Sequence, residues 1–339
     1  MRVYSHHPFL ALAFCAAAGV LFIYPFVLRY TVYKDSFIAM AITDMLPVRD
    51  RMSSIWCSGQ ELSMSHSFSA YMFRERDTPP PTRSLGRVIT LNMTMMIPKQ
   101  TYEYWGFYFL EGSSFTVSVC SRLSGAAFSL IRGTPALRAC LAALARKRDG
   151  RDDSDEDSDE ADELGSSPES DEQSSTLSSS EGMLLNETHG IHVCNNAQFH
   201  VPLKWTYSCG TPHDRQDHKH NITYHVKRSD FYYMFFASNP PLYVTPNTID
   251  AKFYLNRTLY DTRQSVAKTD VENCKNVSRC TVDLGLGSDE YLVVEMDVNS
   301  SMPTWTSDVL TSKCLPRKRL YFVFYFVFGL FIMMAAFQG

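Results

Sequence analysis

The chain has 339 residues, a formal net charge of −4 and 45% hydrophobic residues, which is enough for one to three folded domains with an apolar core. Its basic residues are scattered along the chain, and this excludes an extended nucleic-acid-binding surface. No G-x-S-x-G, P-loop or dinucleotide-binding motif occurs, so the motifs indicate neither an enzyme active site nor a bound cofactor.

Both ends of the chain are long apolar runs. Residues 9–28 and 320–337 contain no charged residue, and a helix needs about 20 apolar residues to cross a bilayer core. We predict that the first run is a transmembrane signal anchor and that the second is another transmembrane helix. A cleaved signal peptide is the alternative for the first run, and the tail of a GPI-attachment signal is the alternative for the second.

Asparagines in the glycosylation pattern Asn-x-Ser/Thr lie between these two runs. Six of the eleven asparagines have the pattern, whereas ordinary Ser and Thr frequencies would give about two. The intervening chain is therefore predicted to be lumenal or extracellular, on a two-span protein of the endomembrane system or plasma membrane. The predicted glycosylation sites are Asn92, Asn186, Asn221, Asn256, Asn276 and Asn299.

Eight of the nine cysteines also lie between the runs, the exception being Cys15. An even number of cysteines in an oxidising compartment indicates disulfides. No C-x-x-C motif occurs, which argues against a zinc ribbon or a redox-active dithiol. Connectivity is largely open, and the shortest loops favour the pairs Cys274–Cys280, Cys194–Cys209 and Cys120–Cys140.

Apolar and polar residues alternate after the first run, which predicts a β-rich module over residues 49–148. A helix is predicted after Pro135, because leucines recur there at helical spacing. The predicted strands are residues 89–95, a hairpin formed by 104–110 and 115–119, and residues 126–131.

We predict a linker at residues 149–185, because most of it, residues 149–182, is rich in Ser, Asp and Glu and contains almost no apolar side chain. Such a segment cannot bury enough apolar surface to offset the entropy of ordering, so we predict a disordered linker. Ser-x-Glu is the acceptor pattern of secretory-pathway casein kinases, but any tract rich in Ser and Glu contains such triplets. The candidate phosphorylation sites are Ser154, Ser158 and Ser170.

A second β-rich module is predicted at residues 186–312. Its strands are expected at 231–236, 249–255 and 291–296, separated by turns rich in Gly, Pro and Asn. The predicted fold is mainly β, with two β-sandwich-like lumenal modules between two terminal transmembrane helices.

Two features of these modules are candidate binding sites. His218 and His220 have a spacing that suits zinc or copper on a strand, but the surrounding residues indicate a polar surface loop, so we predict no metal site. The aromatic runs at 102–109 and 231–236 could line a ligand groove, although their alternation favours packing in the core.

The aromatic strand patterns also resemble a known family. The sequence YWGFY at 104–108, followed by FTVSVCSR at 115–122, is similar to the N-terminal ectodomain of the aberrant pollen development family. These proteins are membrane-bound RING-type E3 ubiquitin ligases. Residues 229–239 and 249–253, with the cysteines at 274 and 280, resemble the middle domain of the same family.

The resemblance implies an ectodomain that binds a protein partner or ligand at a membrane, with RING-bearing relatives as further candidate partners. In the family a zinc-binding RING finger follows the second span, whereas only Gln338 and Gly339 follow Phe337 here. On this ground we expect a chain that is not itself an enzyme. The alternative is a structural or adhesion glycoprotein with no link to ubiquitination.

Overall fold

The structure is a computed structural model. It describes residues 8–42, 44–49, 52–74, 82–148, 194, 197–211, 219–239, 246–266, 268–296 and 307–338. In these residues the chain is mainly β with an apolar helix at each end, which confirms the predicted fold class. The helices are α1 (Pro8–Val27), extended by a π-helical turn at Leu28–Val32, α2 (Thr134–Arg148), α3 (Thr269–Glu272) and α4 (Lys318–Gln338).

The described strands form three antiparallel sheets. The strands are β1 (Ser36–Ala41), β2 (Met45–Val48), β3 (Cys57–Arg74), β4 (Thr82–Ile97), β5 (Thr101–Phe109), β6 (Ser114–Ser121), β7 (Ala126–Arg132), β8 (Ala197–Pro202), β9 (His220–His225), β10 (Asp230–Ser238), β11 (Asn247–Leu259), β12 (Val277–Asp283), β13 (Glu290–Met296) and β14 (Ser307–Pro316).

The first sheet joins strands from the two ends of the chain. Its order is β1-β14-β3-β13-β2, and β12 also pairs with β3. Apolar side chains such as Leu62, Phe68 and Leu292 are fully buried in a core of this sheet, together with Val271 of α3. Because β1 follows α1 and β14 precedes α4, the two terminal helices extend from neighbouring strands.

The other two sheets pack face to face as a sandwich. The helix-covered sheet has the order β5-β10-β7-β8, and the open sheet has the order β4-β11-β6-β9. Inward-facing aromatic rings meet between them, with Phe236 and Phe253 at 6.1 Å and Phe109 and Phe115 at 5.4 Å between ring centroids. The alternation seen in the sequence therefore marks the inner faces of these strands.

Helix α2 packs on the outer face of the helix-covered sheet. Leu137 and Leu144 are buried there against Tyr104, Tyr233 and Phe235. The aromatic runs therefore divide between two cores, because successive strand residues face opposite sides of the sheet. This agrees with core packing rather than a ligand groove.

Each sheet takes strands from both sides of residues 149–185. Strand β10 pairs with β5 on one edge and β7 on the other, and β11 pairs with β4 and β6 in the same way. The predicted boundary between modules 49–148 and 186–312 therefore does not hold. Each half presents strand edges whose hydrogen-bond partners lie in the other half.

The predicted hairpin at 104–110 and 115–119 is also wrong. Strand β5 pairs with β10 in the helix-covered sheet, whereas β6 pairs with β11 and β9 in the open sheet. The turn at Gly112, which has a φ of 83°, carries the chain from one sheet to the other. The local pattern of a turn between two apolar strands is the same in both arrangements, so it could not distinguish them.

Residues 149–193 are expected to be replaceable by a Gly/Ser linker of roughly eight residues, which can reach about 26 Å. The α-carbons of Cys140 and Cys194 are 5.1 Å apart, and Arg148 lies about 12 Å along α2 from Cys140. We expect unchanged sheet content, thermal midpoint and disulfide pairing, measured by circular dichroism and non-reducing peptide mapping. Loss of the sheet signal would contradict this interleaved fold.

Candidate functional site

All nine cysteines lie in the described residues, and eight form four disulfides. The structure pairs Cys274 with Cys280, as the short loop predicted. The predicted pairs Cys194–Cys209 and Cys120–Cys140 are wrong, because β6 and α2 lie on opposite sides of the sandwich core and pairing requires nearby α-carbons. The remaining pairs are Cys57–Cys314, Cys120–Cys209 and Cys140–Cys194, with Cα–Cα distances of 5.4, 5.8 and 5.1 Å.

The outer face of the open sheet carries three of the predicted glycosylation sites. Asn92 on β4, Asn221 on β9 and Asn256 on β11 are all exposed. Asn92 lies opposite Lys252, which lies opposite Ser118, which in turn lies opposite Asn221. The two edge asparagines therefore end one row across four strands, about 14 Å apart.

The same face is polar and internally hydrogen-bonded. The hydroxyl of Thr94 donates to Asp250 at 2.9 Å, and Lys219 contacts the same carboxylate at 2.8 Å. Thr116 and Thr223 share a hydrogen bond of 2.9 Å across β6 and β9. Around these residues the sheet face has the character of a solvated surface that can carry glycans.

Asn276 lies apart from that face, in the turn between α3 and β12. It is exposed, and its φ of 53° is in the left-handed region that asparagine adopts more readily than most residues. Its backbone N–H donates to Ser69 at 3.1 Å. The other two predicted glycosylation sites and all the candidate phosphorylation sites lie outside the described residues, namely Asn186, Asn299, Ser154, Ser158 and Ser170.

The terminal helices pack side by side beneath the first sheet. Ring centroids are 5.4 Å apart for Phe22 and Phe328, and 5.7 Å apart for Tyr24 and Phe324. Both helices are long and apolar enough to cross a membrane, over Leu12–Val32 and Lys318–Phe337.

Arg317 joins α4 to the first sheet at this junction. Its guanidinium donates to the carbonyl oxygens of Ser54, Cys57 and Leu284 at 3.2, 3.0 and 2.9 Å. Its backbone N–H donates to the carbonyl of Trp56 at 2.9 Å. The Cys57–Cys314 disulfide lies beside it, so the start of α4 is held to the sheet by covalent and polar contacts.

A buried ion pair holds the first sheet to the sandwich. Arg257 of β11 donates to Asp44 at 2.7 Å, and both side chains are almost fully buried. The carboxylate also accepts from the backbone N–H groups of Ala41 and Tyr108. Burial raises the pKa of Asp44, while the charge of Arg257 and these hydrogen bonds oppose that rise.

Asp308 of β14 forms a second polar contact, which is partly buried. Its carboxylate accepts from the backbone N–H of His66 at 2.7 Å, and lies 2.8 Å from the Nδ1 atom of the same residue. It also accepts from the N–H of Val309. Burial raises the pKa of Asp308, but the hydrogen bonds from His66 and Val309 outweigh it, so this pKa lies below its ordinary value.

This depressed pKa predicts acid sensitivity. The contribution of Asp308 to stability is complete above about pH 4 and is lost as the pH falls through the lower, folded-state pKa. We expect the free energy of unfolding, measured with urea, to fall less in Asp308→Asn than in the parent protein as the pH is lowered below about 4. Asp283→Asn, at an exposed position on β12, serves as the control. An equal pH dependence in all three proteins would refute the assignment.

The histidines considered as metal ligands lie at or next to β9 in the sequence. No group of three or more His, Cys, Asp or Glu side chains in the described residues could hold a metal ion. His220 is half-buried on β9, and His218 is not among the residues that the structure describes. A space bordered by Met45, Tyr108 and Thr258 is too small to admit a water molecule.

Two family models match this chain, and both matches include several of its β-strands. The model of the N-terminal domain of the E3 ubiquitin-protein ligases APD1-4 matches residues 65–137, and the model of their middle domain matches residues 221–335. Together the two matches cover more than half of the chain. This chain belongs to the APD1-4 family. In this chain the two domains of the family share sheets. Strands β5 and β7 of the N-terminal domain pair with β10 of the middle domain.

The expectation that the chain is not an enzyme is wrong. Both matching models describe E3 ubiquitin-protein ligases, and family membership links the chain to that activity. The expectation rested on the few residues after Phe337, and the position of a chain end carries no conclusion about activity.

Comparisons with curated proteins and with solved structures identify no further relative. No curated protein matches this chain. Among solved structures, T=1 particles derived from infectious bursal virus align at 6% identity with a TM-score of 0.24, over 85% of this chain and 76% of that chain. The VP2 subviral particle of infectious bursal disease virus aligns at 6% identity and a TM-score of 0.23, over 86% and 83% of the two chains. Likenesses this weak do not define a shared fold.

Proposed function

We propose that this chain is the membrane-anchored, glycosylated ectodomain portion of an APD1-4 E3 ubiquitin ligase, and that it binds a protein partner or ligand on the lumenal or extracellular side. The arrangement of the terminal helices carries the proposal. They pack together through Phe22 and Phe328 and extend from adjacent strands of one sheet. Such a pair supports two spans entering one bilayer from the same side of the β-rich body, with the first span retained.

The sequons support the sidedness of this proposal. Each of the four described sequon asparagines is exposed, so all four are accessible to a glycosylating enzyme. Glycans on Asn92, Asn221 and Asn256 would cover the outer face of the open sheet. A protein partner would then bind another surface, and the cytosolic side would be left for ubiquitin transfer.

Endoglycosidase treatment of the chain from a secretory host is expected to increase its gel mobility. Single substitutions Asn92→Gln, Asn221→Gln and Asn256→Gln should each remove one glycan step. Asn273→Gln is the matched control, because Asn273 is exposed but lies outside a sequon. An untreated chain that already migrates at its unmodified mass would contradict lumenal placement.

The link to ubiquitination is tested separately. We propose that the chain associates with RING-bearing relatives through its paired spans, and tagged protein in mild detergent should co-precipitate such a relative. The control is a variant in which α4 is replaced by an unrelated apolar span. Equal recovery by both proteins, or by neither, would contradict association through α4.

A further inference from the structure

The turn at residues 53–56 reaches below the start of α4. The indole of Trp56 lies 6.4 Å from the ring of Tyr321 and 5.6 Å from the ring of Phe324. The last charged residue before these rings is Arg319, so they lie about 3 and 7.5 Å along the helix from the charged border. Trp56 therefore lies at the level of the apolar run.

Helix α1 gives the same depth independently. Trp56 also contacts Tyr24, with 5.8 Å between ring centroids. The first charge after α1 is Arg29, about 7 Å further along the helix from Tyr24. Two helices of opposite direction thus place the indole several ångströms inside the charged border, which is the depth at which Trp and Tyr concentrate in membrane proteins.

Two exposed aliphatic side chains lie in the turn that carries this indole and in a neighbouring loop. Ile55 precedes Trp56 and is 51% exposed, and Leu286, in the loop between β12 and β13, is 70% exposed. The two loops are neighbours, because the N–H of Gly287 donates to the carbonyl of Ser54 at 3.3 Å. In water both side chains would present unfavourable apolar surface close to the spans.

Both loops are held in place at this level. The hydroxyl of Ser53 accepts from the N–H groups of Ile55 and Trp56 at 3.3 and 3.2 Å. Arg317, which begins the junction with α4, donates to carbonyls in both loops, at Ser54 and Leu284. The exposed side chains therefore keep a set position relative to the span.

We propose that residues 53–56 and 284–288 form a membrane-facing rim that inserts Ile55 and Leu286 into the interfacial layer of the lipid bilayer. The rim is continuous with the paired spans, and exposed Lys318 and Arg319 supply positive charge beside it for lipid phosphates. The β-rich body is thereby held against the membrane surface. This inference rests on the proposed function, because it requires that α1 and α4 span the bilayer.

The test uses the full chain in phosphatidylcholine vesicles that contain nitroxide-labelled lipid. A fluorophore is attached to Leu286→Cys in a Cys15→Ser background, and to Tyr207→Cys as the matched control, since Tyr207 is 73% exposed in the sandwich. A third sample is labelled at native Cys15, inside α1. Each sample is quenched by nitroxide near the headgroup, by nitroxide near the chain end, and by aqueous iodide.

We expect the label at 286 to lose emission with headgroup-level nitroxide and to resist iodide, and the label at 207 to show the reverse. Iodide quenching at 286 equal to that at 207, with Cys15 quenched by deep nitroxide, would overturn the rim and leave the spans intact. A Cys15 label without lipid quenching would overturn the spans and the rim together. If Leu286→Cys fails to fold, Ile55→Cys provides the same readout from the other loop.

Discussion

Replacing Arg257 with leucine is expected to lower the free energy of unfolding by about 3–5 kcal/mol, because it leaves the Asp44 carboxylate buried without its charged partner. The Nη1 atom of Arg257 lies 2.7 Å from the Oδ1 atom of Asp44, and the pair is almost fully buried between the first sheet and the sandwich. The guanidinium carbon also lies 4.9 Å from the ring centroid of Phe109, a contact that leucine does not reproduce. Urea unfolding in detergent measures the change.

Two control variants separate the buried charge from lost packing. Asp44→Asn combined with Arg257→Leu should recover part of the loss, because no charge then remains in the core. Lys275→Ala removes an exposed ion pair with Glu272 and should cost at most about 1 kcal/mol. Arg257→Leu with a cost as small as that of Lys275→Ala would show that the pair contributes little.

Removing the Cys57–Cys314 disulfide is the second change with a large expected effect. The two cysteines are separated by 257 residues, and a closed loop of this size restricts the unfolded chain by roughly 5 kcal/mol in the loop-entropy treatment. The bond also fixes the start of β3 to the end of β14, next to α4. The double variant Cys57→Ala with Cys314→Ala should therefore unfold at a much lower urea concentration.

The Cys274–Cys280 disulfide supplies the matched control. Its cysteines are separated by only six residues, so its removal should cost roughly 2 kcal/mol by the same treatment. Both double variants keep the other three disulfides, and non-reducing peptide mapping would verify this. Equal destabilisation by the two removals would show that loop length does not set their contributions.

Individual elements could be predicted because their signals are local. The Leu137 and Leu144 spacing defines the buried side of α2, and the alternation at 249–255 defines the inner face of β11. A period of 2 or 3.6 residues depends only on which side chains face the core. The family resemblance depended on the same aromatic strand patterns, and the matches at 65–137 and 221–335 confirm it.

Partner choice could not be predicted in the same way. Nothing near residues 104–119 distinguishes a hairpin from a chain that crosses between sheets, and nothing near Cys120 distinguishes Cys209 from Cys140 as its partner. A strand edge accepts any partner of compatible register, and a thiol accepts any partner at a suitable Cα separation. These choices depend on contacts between residues far apart in the sequence.

The sequence by itself determined the mainly β character, the two apolar ends, the positions of most strands and the family. Only the tertiary structure decided that residues on both sides of 149–185 share each sheet, that Asn92, Asn221 and Asn256 lie on one face, and that Asp44 meets Arg257. The physical reason is the range of the interactions. Side-chain periodicity is a property of each segment, whereas burial of a charge pair and closure of a sheet edge exist only once distant segments have packed together.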